Sequence, residues 1–284
     1  MPASKTAEKH HWPSLPNPDE WADTLITVHL WTQVIGKIRL ELYPWVNHSW
    51  GSTLYVSAKG LTTHAIPYEN RTFEIELNFL YHKLEIVTSD GKSGGFELKP
   101  MTVADFYGKT MKILSDLNIH VKIFTRPVEM EDVIPFEEDT VHKSYDKESV
   151  TQFWRALESI NRVFSEFRAG FSGKSSPSHF FWGAFDLVVT RFSGRKAPKH
   201  PGGAPNCADW VMEEAYSREL SSFGFWPGQG LGEPAFYSYA YPAPDGYSSA
   251  DVQPDKAYYH EELGEFILPY STVISADDPD ACLL

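Results

Sequence analysis

"HFFWGAFDLVVTRFSGRK" spans residues 179–196, and "HSWGSTLYVSAKG" spans residues 48–60. Both open on His, reach Trp-Gly within a few residues and continue into a strand-like run. Each also follows a helix-like segment. Over residues 24–42, Leu25, Val28, Trp31, Ile35, Ile38 and Leu42 recur at steps of three and four, one apolar stripe on an amphipathic helix. Over residues 149–171, Val150, Phe153, Leu157, Ile160, Phe164, Phe167 and Phe171 do the same.

A second match closes each half. "GGFELKPMTV" at 94–103 aligns without gaps to "GEFILPYSTV" at 264–273, with five identities in ten positions. The first half continues into a helix with Thr102 as N-cap and Asp105 three residues on, a capping-box-like start. In the second half the chain stops after "DDPDACLL", so the corresponding helix is expected to be cut off after about one turn. Between these landmarks, Phe73, Ile75 and Leu77 alternate with polar residues, as do Leu84 and Ile86, around the turn signal "SDG" at 89–91. The chain therefore reads as a duplicated α+β protein of helix–antiparallel sheet–helix modules with pseudo-twofold symmetry. Residues 1–23 form an N-terminal extension, 24–130 the first module, 131–148 a linker and 149–284 the second module.

The offset between the halves is 132 at Trp-Gly and 170 at the closing Phe, which gives the second half 38 more residues. They fall in long Pro/Gly-rich loops with one expected helix, about Cys207 to Ser221, in an insert placed at about 195–235. Long loops inside a compact domain are often functional.

Composition narrows the function classes. The 284 residues carry a net charge of -13, which argues against general nucleic-acid binding because phosphate contacts need a basic face. Cys207 and Cys282 suit a reducing compartment. The N-terminus has no apolar core of signal-peptide length, and no run approaches the roughly 20 apolar residues of a membrane span. These features together read as a soluble cytoplasmic protein.

The charge is uneven: residues 168–200 hold six basic residues and one acidic. That acid, Asp186, stands alone in the apolar run Phe180–Val188. Alternation puts Trp182, Ala184, Asp186, Val188 and Thr190 on one strand face and Phe185, Leu187, Val189 and Arg191 on the other. With both rows largely apolar, the strand is expected to be central. Its carboxylate should then be buried and paired with an arginine or a histidine, since an unpaired buried charge is costly. Arg191 and Arg195 could hold a carboxylate or phosphate bidentately. No Walker pattern or G-x-G-x-x-G supports a nucleotide loop, and no G-x-S-x-G elbow supports a Ser/His/Asp triad. His179, Glu214 and His260 are the residues from which a metal site could be assembled, but no HExxH or CxxC spacing accompanies them, and no cofactor is assigned. Tyrosines crowd "AFYSYAYP" at 235–242, where Tyr239 and Tyr241 could wall a pocket.

The stretches "HFFWGAFDLVVTRFSGRKAP", "TSDG", "TVADFY", "REL" before "GFWPG", "AFYSYAYP" and "ELGEFILPY" together resemble a bacterial family known only as domain of unknown function 5996. The resemblance runs from about Trp31 onward. It implies an acidic helical tail beyond this C-terminus and no assigned activity, cofactor or catalytic residue.

Three functional readings follow. The first is a binding module for a small anionic or aromatic ligand. Its site lies in the second half, among Trp182, Asp186, Arg191, Arg195, Tyr239 and Tyr241. The second is a hydrolase or isomerase using Asp186 with His179 or Glu214. The third is a protein-interaction module using the groove of the shortened C-terminal helix. Asymmetry between the halves favours the first two, because the first half lacks both the Asp-bearing run and the insert.

Overall fold

The computed structural model describes residues 12–131 and 133–284. Residues 1–11 of the expected extension and residue 132 of the expected linker lie outside them. The described residues form two antiparallel sheets and six α-helices. Helix α1 (Ala22–Leu42) leads into the first sheet, made of β1 (Tyr55–Val56), β2 (Gly60–Thr62), β3 (Ile66–Tyr68), β4 (Arg71–Asn78), β5 (Lys83–Thr88) and β6 (Ser93–Glu97). Helix α2 (Val103–Asp116) closes that half, and helix α3 (Lys147–Ala169) opens the next. The second sheet contains β7 (Lys174–Ser175), β8 (His179–Phe181), β9 (Asp186–Lys196), β10 (Arg218–Trp226), β11 (Ala235–Tyr241), β12 (Tyr258–His260) and β13 (Glu265–Pro269). Helix α4 (Asp209–Ala215) precedes β10, while α5 (Tyr270–Ile274) and α6 (Pro279–Leu283) follow β13.

The first sheet runs β1-β2-β4-β5-β6 and the second β12-β13-β11-β10-β9-β7, with β3 on β4 and β8 on β9. The turn at Ser89–Gly91 joins β4's partner β5 to β6, where the sequence signal places it. Thr102 caps α2 by accepting from the Asp105 amide at 3.0 Å, and Asp146 caps α3 through the Ser149 amide. The two halves also touch through the backbone. Leu54 and Phe180 exchange both N–H···O bonds, at 2.9 and 2.8 Å.

Helix α1 is not the amphipathic surface helix that its apolar stripe suggests. Thr27, Thr32, Gln33, Lys37 and Arg39 are buried along with Leu25, Val28 and Trp31. Burying such groups is tolerable only when they are hydrogen-bonded, and each finds a backbone carbonyl. Lys37 donates to the carbonyls of Phe124 and Arg126, and Arg39 donates to that of Thr63. Gln33 exchanges two bonds of 2.9 Å with the backbone of Val128. The polar face of α1 thus fastens residues 124–128 across it.

Three local expectations change. The strand expected from Trp182 begins only at Asp186, because Trp182–Phe185 forms a turn in which Phe185 adopts φ 61°. The expected helix from Cys207 to Ser221 stops at Ala215, and Arg218–Trp226 is instead a strand between β9 and β11. The expected insert at 195–235 therefore contains a central strand. Finally, the chain after β13 folds into two short helices rather than one. Asp280 of α6 accepts from the Trp12 indole at 2.8 Å and pairs with Arg162 of α3.

Candidate functional site

Strand β9 divides its residues by parity. Leu187 and Val189 are fully buried, on the face against α3. Just before them, Phe185 stacks on Phe153 of α3 with centroids 5.3 Å apart. Asp186, Val188 and Thr190 point the other way and line a cavity of about 700 Å³. The pocket face of the sheet supplies its floor: Ser222 of β10, with Tyr237 and Tyr239 of β11. Trp210 and Val211 of α4 cover it. A third wall comes from the first half, through Trp45, His48 and Trp50, and Glu129 enters from the segment fastened across α1. The walls are mostly aromatic and aliphatic, with a few polar groups, as in small-molecule sites. A second cavity of about 520 Å³ lies beside it and carries Glu262 and Glu265. Ala184, Asp186, Tyr216, Tyr237 and Tyr239 line both.

The turn before β9 explains the Trp-Gly pair. Trp182 packs into a notch at Gly36 of α1, where a Cβ would fall 2.2 Å from its ring. Its indole N–H donates to the Ser52 carbonyl at 2.7 Å. Gly183 has its own constraint, since a Cβ there would lie 2.1 Å from Glu129 Oε1. The Gly183 carbonyl accepts from His29 Nε2 at 2.9 Å. The motif thus packs the second half against α1 and leaves room for a carboxylate beside the cavity.

Asp186 is 8 % exposed, and its partner is neither an arginine nor a histidine. The Tyr237 hydroxyl donates to its Oδ2. Among the described residues, Oδ1 receives no hydrogen bond from another residue. Burial pushes the Asp186 carboxyl up to about 6, against the opposing pull of the Tyr237 bond. Glu129 and Glu265 are each pushed up to about 7, first by burial and then by the charge of Asp186. Burial also holds the Tyr237 phenol well above its ordinary value, with Asp186 adding to the shift. Nearby hydroxyls pair among themselves: Tyr216 with Tyr239 at 2.8 Å, and Thr190 with Ser222 at 2.7 Å.

The cations expected beside Asp186 lie elsewhere. Arg191 has the parity of Val189, so it emerges on the α3 face. There its guanidinium sits 3.4 Å from the Phe167 ring centroid and donates to the Phe167 carbonyl at 2.6 Å. Arg195 is exposed and pairs with Glu219 at 2.6 Å. Among the described residues, no Lys or Arg lines either cavity. The structure therefore brings Trp182, Asp186 and Tyr239 together and leaves Arg191, Arg195 and Tyr241 out. Tyr241 donates to the Pro198 carbonyl instead.

His179 and Glu214 do not join Asp186 in the cavity lining either. His179 is fully buried and lowered to about 3, chiefly by burial. Among the described residues, neither of its ring nitrogens has a hydrogen-bond partner. Glu214 accepts from the Trp45 indole at 3.1 Å. His260 lines the second cavity alone of the three expected metal ligands. Among the described residues, no three His, Cys, Asp or Glu side chains gather as a metal ion would require. No helix among them is long and apolar enough to cross a membrane.

Sequence reasoning did not identify Tyr237 as the partner of Asp186, and it missed Glu129 and the wall from Trp45 to Trp50. Tyr237 had a usable signal. Gly224, in "SFGFW", faces Tyr237 across the β10–β11 register, and a strand-interior glycine often marks a close approach.

A family model described as "Family of unknown function (DUF5996)" matches residues 12–284, and the chain belongs to that family. No curated protein and no solved structure matches it.

Proposed function

We propose that this protein binds a small molecule with an apolar or aromatic body in the cavity between β9–β11, α4 and the Trp45–Trp50 wall. The observation that carries this reading is Asp186. It is a buried carboxylate whose Oδ2 is held by Tyr237 and whose Oδ1, among the described residues, accepts from no other residue, and it lines a cavity of about 700 Å³. A buried carboxylate short of donors is costly, and a ligand donor at this side chain would offset part of that cost. The anionic ligand expected from the cation run loses its support, since Arg191 and Arg195 bond elsewhere. Catalysis by Asp186 with His179 or Glu214 has no comparable support, because neither of the latter lines the cavity.

The test uses phenylnaphthylamine, a neutral dye that brightens in apolar surroundings. Wild-type protein should bind it and Val211→Trp, which fills the cavity from α4, should bind it markedly less. Equal brightening with both proteins would overturn the reading.

The two halves are further inferred to be copies of one unit. Strands β2-β4-β5-β6 and β9-β10-β11-β13 run in the same antiparallel order between an opening and a closing helix. Phe96 and Phe266 both fall on the last strand before that closing helix. In this view the first half is scaffold and wall, while the second half carries the floor of the site.

A further inference from the structure

The chemistry of the lining narrows the ligand class, on the premise that the cavity is a binding site. Asp186 and Glu129 line the main cavity, and Asp186, Glu262 and Glu265 line the adjoining one. Among the described residues, neither is lined by Lys or Arg and the nearby cations have partners of their own. Lys37 is spent on the carbonyls of Phe124 and Arg126, and Arg191 on Phe167. Where these carboxyl groups are ionised the field inside the cavity is therefore negative, and low-dielectric walls strengthen it. An anion entering would meet them and, among the described residues, no lysine or arginine.

The geometry points to a protonated amine on an apolar or aromatic body as the ligand, and we propose that its ammonium pairs with the carboxylate of Asp186. Three features support this class. Asp186 lines both cavities, and Tyr237 donates to one of its two oxygens. A charged donor there forms a charge-assisted bond, roughly twice as strong as a neutral one. Tyr237, Tyr239, Trp45 and Trp210 line the main cavity, and aromatic rings attract cations. A metal ion is a poor alternative, because no set of three ligating side chains converges among the described residues.

The experiment is calorimetric titration of the full chain with matched triplets. Phenethylamine, phenethyl alcohol and hydrocinnamate form one; tryptamine, tryptophol and indolepropionate form the other. The amine of at least one triplet should bind about tenfold or more tighter than its alcohol, the equivalent of about 1.4 kcal/mol, and its acid should not bind. Asp186→Asn keeps an acceptor for Tyr237 and should erase the preference for the amine, lowering the amine's affinity far more than the alcohol's. Glu129→Gln should weaken the amine alone, by a smaller factor. The assignment is overturned if alcohols or acids match the amines, if Asp186→Asn binds the amine as wild type does, or if no amine binds at millimolar concentration. The dye separates the two levels of inference. If it enters the cavity and the amines show no advantage, only the ligand class falls. If Val211→Trp leaves dye binding intact, the cavity reading falls with it.

Discussion

The ring of Tyr237 occupies the space that a side chain on Gly224 would fill: a Cβ there would lie 2.1 Å from Tyr237 Cζ. Gly224 stands on β10 between Val188 of β9 and Tyr237 of β11. The tyrosine therefore crosses the intervening strand over a bare backbone to reach Asp186. Asp186 finds its partner two strands away because the strand between them has no side chain at that point.

Gly224→Ala should displace Tyr237 and destabilise the protein by about 1–3 kcal/mol, as overpacking does. Alanine is otherwise better than glycine in a strand by roughly 0.5–1 kcal/mol. In a Tyr237→Ala background the same substitution should therefore be neutral or stabilising. Denaturant melts of the four proteins in this cycle give the coupling. Additive effects would show that the ring and the glycine do not compete for space.

The pH dependence of Asp186→Asn has a definite sign. Asp186 stays protonated up to about 6 in the folded chain, against 3.8 as its ordinary value. Between those values the folded state binds more protons, so stability is lost as pH rises through this window. The Asn variant should therefore gain on wild type from about pH 4 to about pH 7, by up to about 3 kcal/mol. His29 and His179, lowered by burial to about 4 and about 3, act in the opposite direction below 6.5. They cancel in the difference between variant and wild type, which is the quantity to plot. A flat difference would mean that Asp186 titrates normally.

Gly36→Ala should reverse the usual rule for helices. Replacing glycine inside a helix normally stabilises by about 1 kcal/mol. Here the new Cβ would lie 2.2 Å from Cδ1 of Trp182, so a loss of about 1–3 kcal/mol is expected. A higher melting temperature for the variant would show that Trp182 does not sit in this notch.

Arg191→Ala should act on stability and leave ligands alone. Its guanidinium covers Phe167 and donates to the Phe167 carbonyl, and losing both should cost about 1–2 kcal/mol. Titration of any cavity ligand should give the same affinity in variant and wild type. A changed affinity would return the arginine to the site.

Much of the fold was legible because periodicity is a local signal. The stripes of α1 and α3, the alternation in β4 and the cap at Thr102 all lie within short windows. Asp186 also stood out locally, as a lone charge in an apolar run. What it pairs with was not local: Tyr237 lies 51 residues away and meets it only through the register of three strands. Charge alone suggested Arg191. Strand parity already separated the two, since even and odd residues face opposite sides, and parity prevails over charge. The turn at Trp182–Phe185 escaped because Phe185 adopts φ 61°, which its bulk disfavours and only its surroundings make tolerable. Glu129 was invisible for another reason. It reaches the cavity on a segment held by Gln33 and Lys37, and buried polar groups on a helix do not reveal in sequence which loop they will hold.

The reciprocal bridge between Leu54 and Phe180 gives each half custody of one amide proton belonging to the other. Those two protons are shielded only while the halves remain together, whereas an amide inside β4 or β10 is shielded by its own sheet. Their exchange with deuterated solvent therefore times the parting of the halves separately from the unfolding of either one. If the molecule opens along this seam, both amides will lose protection together while the two sheets remain intact.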